Sequence, residues 1–191
     1  MTNKFDQLLN PSKVWSRAEI LAKPSPAPEE SGLYAWYFSD VLDLVPTGDC
    51  IQFGDRFLLY CGICPRRSSP SGSQRKRRTL SKRLKDHFSG NASGSTLRLS
   101  LGCLLSEQLG IHLQVGEGSN RKTLGNGEDA LSDWMDKNAF VTWMIDPEPW
   151  LLEDELIHLA RPPLNLQGNR DHPFFTDLST IRKRCKERAE S

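Results

Sequence analysis

Arg83 and His87 stand four residues apart in the segment TLSKRLKDHF. In a helix that spacing places both on one face, where a guanidinium and an imidazole can address one phosphate together. Leu80, Leu84 and Phe88 recur at helical spacing and would anchor the core side, with Thr79 as the N-cap. A solvated basic helix whose arginine pairs with an acid is the plainer reading of the same residues. Glu153 heads a second stripe, three, four and seven residues before Leu156, Ile157 and Ala160. An acid in an apolar stripe is costly unless it is paired or metal-bound. One carboxylate suits Mg2+ (or Mn2+), which keeps most of its waters and takes a substrate phosphate oxygen as a further ligand. A buried Glu153–Arg83 pair would satisfy the same acid, while Asp154 and Glu155 read as solvated charges.

Two tyrosines add hydroxyls. Tyr34 and Tyr60 sit in the two most strand-like segments, GLYAWYF (32–38) and FLLYCGIC (57–64), and neighbouring strands can bring both to one edge of a sheet. A tyrosine serves as a general base only where nearby positive charge lowers its pKa from about 10. Packing accounts for Tyr37 and for Trp36, Trp134, Trp143 and Trp150. Asn165 follows Pro162–Pro163 and can either cap a helix or pin its end to the site. Cys61-Gly62-Ile63-Cys64 spells CxxC, but a zinc knuckle needs two more ligands at sensible spacing. In a strand, residues 61 and 64 also face opposite sides.

The elements that must position these groups follow from pattern. After a 1–30 arm with a short helical pattern (Val14, Trp15, Ile20, Leu21) and a proline-rich exit come the two strands, expected to pair as an antiparallel hairpin. A basic loop, 65–78, leads into the helix of Arg83. The sequence then predicts a Leu-rich helix over 97–109, a glycine-rich loop over 114–129, and a helix in EDALSDWMDKN. A third strand, 139–145, a helix from Pro149 to about Ala160 and a terminal helix over 182–188 complete the order. This is a small α/β fold with a mainly antiparallel, three-stranded sheet flanked by helices.

Composition narrows the rest. Of 191 residues, 37% are hydrophobic, enough for a core and incompatible with wholesale disorder. No run approaches the roughly 18 apolar residues of a membrane span, and the charged first twenty residues do not form a signal peptide. Five cysteines, an odd number, suit reduced thiols in the cytoplasm better than a disulfide framework. Net charge is only +1, but residues 65–87 hold nine Arg/Lys against one Asp, a local +8 on a body of −7. Such an island points to a polyanionic partner at one place. Arg66, Arg67, Arg75, Lys76, Arg77, Arg78 and Lys82 are its candidate phosphate contacts.

GLY at 32–34, YCG at 60–62, SKRLKDHF at 81–88 and LLEDELIHLARPPLN at 151–165 together resemble the GIY-YIG nuclease domain, in order and on the expected elements. The resemblance covers about 31–165, with inserts at about 39–56, 65–78 and 89–138, and leaves 166–191 as a basic tail. It implies catalytic roles for Tyr34, Tyr60, Arg83, His87, Glu153 and Asn165, with Glu153 the metal ligand. His87 matches a histidine that restriction and homing members tend to keep. The sequence departs from compact members in its 26-residue spacing between the tyrosines, in Ile63-Cys64-Pro65 where a lysine often follows the motif glycine, and in the insert at 89–138.

The implied activity is metal-dependent, single-metal hydrolysis of DNA phosphodiester bonds, in restriction or defence, or in repair. Cutting both strands with one site needs a homodimer or two visits. A nucleic-acid-binding module that kept the fold and lost catalysis is the alternative, and the complete Tyr/Tyr/Arg/Glu/Asn set argues against it.

Overall fold

A computed structural model describes residues 3–40, 44–65, 78–116 and 120–190. Helix α1 (Asp6–Leu9), strand β1 (Trp15–Ser16) and helix α2 (Arg17–Leu21) lead to β2 (Gly32–Phe38), β3 (Gln52–Phe53) and β4 (Arg56–Cys64). Helices α3 (Leu80–Ser89), α4 (Thr96–Leu104) and α5 (Ser106–Leu109) follow, then a small hairpin, β5 (Gln114–Val115) and β6 (Lys122–Thr123). Helix α6 (Gly127–Asn138) runs into β7 (Ala139–Ile145), and a 3-10 turn at Pro149–Leu151 precedes α7 (Glu153–Ala160) and α8 (Phe175–Arg188).

The main sheet has the order β1-β7-β2-β4-β3, with every neighbouring pair antiparallel. All seven residues of β2 are buried, because layers cover both faces of its run of aromatics and aliphatics. Alternation sorts its side chains between those layers. Tyr34, Trp36 and Phe38 join a core completed by α3, α4, α6 and α8. Leu33, Ala35 and Tyr37 join Phe5, Leu8 and the apolar stripe of α7 on the other side. Pairing of Tyr34 with Gly62 and Trp36 with Tyr60 puts both motif tyrosines on the α3 side. A bulge follows, since Tyr37 pairs with Leu58 and leaves Leu59 as the extra residue.

The sheet has five strands rather than three. The additions, β1 and β3, are two residues long, too short to carry periodicity. Within the 1–30 arm the described residues pack onto the sheet. Phe5 and Leu8 are fully buried, Tyr37 donates to the Leu8 carbonyl at 2.7 Å, and β1 pairs with β7. The single helical pattern expected at 14–21 divides into β1 and α2 because Ser16 starts the helix as a capping box with Glu19.

Three other expectations change. The Leu-rich helix breaks into α4 and α5 at Leu105. The expected loop over 114–129 contains β5, β6 and the first turn of α6. The C-terminal helix begins at Phe175 rather than 182, because Leu178 is buried against the core.

Candidate active site

Helix α3 turns its inner side to the sheet, and that side carries polar groups as well as Leu80, Leu84 and Phe88. Arg83 and His87 are both buried within it. The Arg83 Nε donates to Tyr34 Oη at 3.2 Å, and Tyr34 Oη lies 2.9 Å from His87 Nε2. On the far side of the ring, His87 Nδ1 is 2.7 Å from Ser95 Oγ. The imidazole is thus held at both nitrogens, and the Tyr34 proton has a hydrogen-bonded neighbour to go to in the base-accepting tautomer. Arg83 Nη1 donates to the Gly94 carbonyl at 2.9 Å.

His87 shows no surface to solvent. Arg83 and His87 do share the inner face of α3, where the His87 ring is held with Tyr34 and Ser95 at its two nitrogens. Arg83 is 7% exposed, Tyr60 4% and Tyr34 1%, which makes Arg83 the most accessible of these three side chains. Tyr60 packs with its ring centroid 6.2 Å from that of His87. Burial lowers the Arg83 pKa, but the Tyr34 and Tyr60 hydroxyls, together with the Cys64 thiol, outweigh it and hold the group above its ordinary value.

Both motif glycines are required by close approach. A Cβ on Gly62 would lie 2.6 Å from Tyr34 Oη, and one on Gly32 would lie 2.1 Å from the Met144 carbonyl oxygen. Asn165 closes the site from behind. Its Oδ1 accepts from the Cys61 backbone N–H and its Nδ2 donates to the Cys61 carbonyl, each at 2.9 Å. The side chain thereby acts as a strand neighbour for β4 at the residue between Tyr60 and Gly62.

Glu153 is the first residue of α7 and is half-buried, where the helix N-terminus favours a carboxylate. Leu156, Ile157 and Ala160 behind it are buried against the α7 side of the sheet. The Cys61 thiol is pushed up by burial and further by the Glu153 charge, so the acid lies within electrostatic reach of Cys61, whose side chain packs on the α7 side of the sheet. Among the described residues no group of three His, Cys, Asp or Glu could hold a metal. The donor set is one hard oxygen ligand, which fits Mg2+ or Mn2+ with its own waters and substrate oxygen and does not fit zinc. Cys61 and Cys64 lie in opposite core clusters.

Of the expected phosphate contacts, Lys82 and Arg78 are exposed, and the Arg78 carbonyl accepts from Cys64 Sγ at 3.1 Å. Arg66, Arg67, Arg75, Lys76 and Arg77 lie outside the described residues. Gly94 and Ser95 are not singled out by the sequence. Ser95 carried one usable sign, a serine immediately before an apolar helical run, and it does cap α4 through the Arg98 N–H.

A family model described as the GIY-YIG catalytic domain matches residues 32–184. The chain belongs to this GIY-YIG family. The match spans both tyrosine strands, the Arg83 helix, α7 and most of α8, and so runs past residue 165 to residue 184. No curated protein and no solved structure matches the chain significantly. A GIY-YIG domain implies nuclease activity in general. Among the described residues no helix is long and apolar enough to cross a membrane.

Proposed function

We propose that this GIY-YIG protein is a divalent-metal-dependent endonuclease that hydrolyses DNA phosphodiester bonds. The observation that carries the reading is the hydrogen-bonded chain Arg83–Tyr34–His87. It supplies a hydroxyl that can receive a proton from water, a base behind it, and a cation at its oxygen. Tyr34 takes a proton from the attacking water while its own proton passes to His87 Nε2. Ser95 keeps the imidazole aligned for that transfer. Arg83 offers fixed positive charge to the phosphate as negative charge builds on its oxygens. Tyr60 lines the same pocket and positions the substrate, and Asn165 holds the β4 backbone that carries Tyr60. Glu153 is the residue that would hold the ion, which when bound supplies Lewis-acid charge at the phosphate. Restriction or defence is the setting we favour, with repair the neighbouring one; unmodified duplexes set against nicked or branched substrates separate them.

Plasmid nicking in Mg2+ tests the activity. Glu153→Gln should abolish cleavage while DNA affinity in EDTA stays within about twofold, less than about 0.5 kcal/mol. Full cleavage by Glu153→Gln at saturating Mg2+ would overturn the role of that carboxylate.

A further inference from the structure

The C-terminal helix has a face that the chemistry above does not use. Leu178, Ile181, Cys185 and Ala189 pack α8 onto the core beside α4. A neighbouring stripe at the same helical spacing carries Ser179, Arg182, Lys183 and Lys186, and with Lys122 of β6 it lines a cavity of about 280 Å3. Four cations and two acids, Glu187 and Glu190, border this cavity, a local excess of two positive charges. Lys122 is paired with Glu190, and Lys183 lies 3.8 Å from Glu187. Arg182 and Lys186 form no ion pair among the described residues.

Arg182 is also the link to the active site. It lies within electrostatic reach of Tyr60 and of Cys103 in α4, so one guanidinium serves both the cavity wall and the neighbourhood of the second motif tyrosine. Its Nε is buried without a hydrogen-bond partner. The planar guanidinium of an arginine in a cavity wall matches a phosphate oxygen well.

We propose that Arg182 and Lys186 of α8 grip the DNA backbone beside the scissile phosphate, making this helix a second phosphate-binding surface of the nuclease. It rests on the nuclease reading, and it extends the DNA path from Tyr34 and Tyr60 onto α8. A phosphodiester strand is favoured over an acidic peptide because Arg182, in the cavity wall, lies within electrostatic reach of Tyr60, which the reading already assigns to substrate positioning. Lys183 and Lys122, already paired, would contribute less.

The experiment is a salt titration of the affinity for a short DNA duplex, read by anisotropy in EDTA so that no cleavage occurs. Each lost phosphate contact should flatten the log–log slope by about 0.9, so Arg182→Gln with Lys186→Gln should flatten it by about 1.8. Arg182→Lys should keep the slope, since it keeps the charge. Arg184→Gln, on an exposed position of α8 outside the cavity, should leave slope and affinity unchanged. Thermal unfolding of each variant separates binding from folding: an unchanged slope, with or without a lower Tm, overturns the proposal. So does an equal loss on Arg184→Gln, which would mean that any α8 charge counts. Competition by a poly-glutamate peptide as effective as by duplex would assign the face to an acidic protein instead. A wild-type chain that neither binds nor cuts duplex DNA overturns the nuclease reading and this surface with it, whereas binding with an unchanged slope overturns the surface alone.

Discussion

Tyr34 and Tyr37 differ by half a turn of one strand, and that difference separates chemistry from packing. Tyr37 donates to the Leu8 carbonyl on the α1 side, while Tyr34 is shared by Arg83 and His87. Removing either hydroxyl strands buried partners, so each Phe variant should lose roughly 1–3 kcal/mol of stability. Their rates should diverge. Tyr34→Phe should lower cleavage by about 100-fold or more, the usual scale of a lost general base, and Tyr37→Phe should cut normally; equal rates in a nicking assay would remove Tyr34 from the reaction. Gly62→Ala forces a methyl into the space of the Tyr34 hydroxyl. It should therefore cost roughly 1–3 kcal/mol, as overpacking does, and slow cleavage as much as Tyr34→Phe, which urea melts and single-turnover rates would show. At this scale the sequence was informative where side chains carry the function. Tyr34, Arg83 and Glu153 stand out by type and spacing, whereas Gly94 acts through a carbonyl that no residue type advertises, and the depth of His87 depends on packing that α3 alone does not reveal.

The segment between α3 and β7 reads in the sequence as an insertion, yet it forms the rear wall of the pocket. Arg98 of α4 is fully buried and pairs with Glu128 of α6 at 2.8 Å. The same guanidinium donates to the carbonyls of His87 and Phe88, and Glu128 accepts from the backbone of Ala92 and Leu124. One ion pair therefore ties α3, α4 and α6 together and holds Gly94 and Ser95 in place. Arg98→Met leaves the Glu128 carboxylate without its cation and should cost about 3–5 kcal/mol, as breaking a buried pair does. Pairing Arg98→Met with Glu128→Leu should recover much of that loss in chemical denaturation. If the single variant is as stable as the wild type, the pair is not what holds the wall. Long, patterned elements such as β2, β4 and α3 were legible because their periodicity is local. The two-residue strands β1, β3, β5 and β6 were not, since only tertiary pairing creates them, and Arg98 hid within a leucine-rich run.

For the whole molecule, charge is arranged around one pocket while the rest of the surface is acidic. The basic loop begins next to the site at Arg78, so replacing Arg75, Lys76, Arg77 and Arg78 with Ser should flatten the salt dependence of DNA affinity by about 2, out of about 3.6 for four full contacts. Cleavage at saturating protein should stay within about tenfold, roughly 1.4 kcal/mol of barrier. A dead enzyme with a normal slope would move one of these residues into the chemistry. The sheet order has a different consequence, in time. Asn165 bonds the backbone of Cys61 across 104 positions, and β2 lies between β4 and β7, whose register runs from Gly32 opposite Ile145. Pairings this distant in sequence close late. At about 5–20 residues per second, a ribosome needs about 5–20 s to make the stretch from Cys61 to Asn165. Between Arg83 and Ala139 the growing chain holds its tyrosines and arginine but lacks the third long strand, the acid and the amide. On the nuclease reading proposed above, cleavage therefore waits until the chain has passed residue 165, and a fragment that ends before that point should not cut.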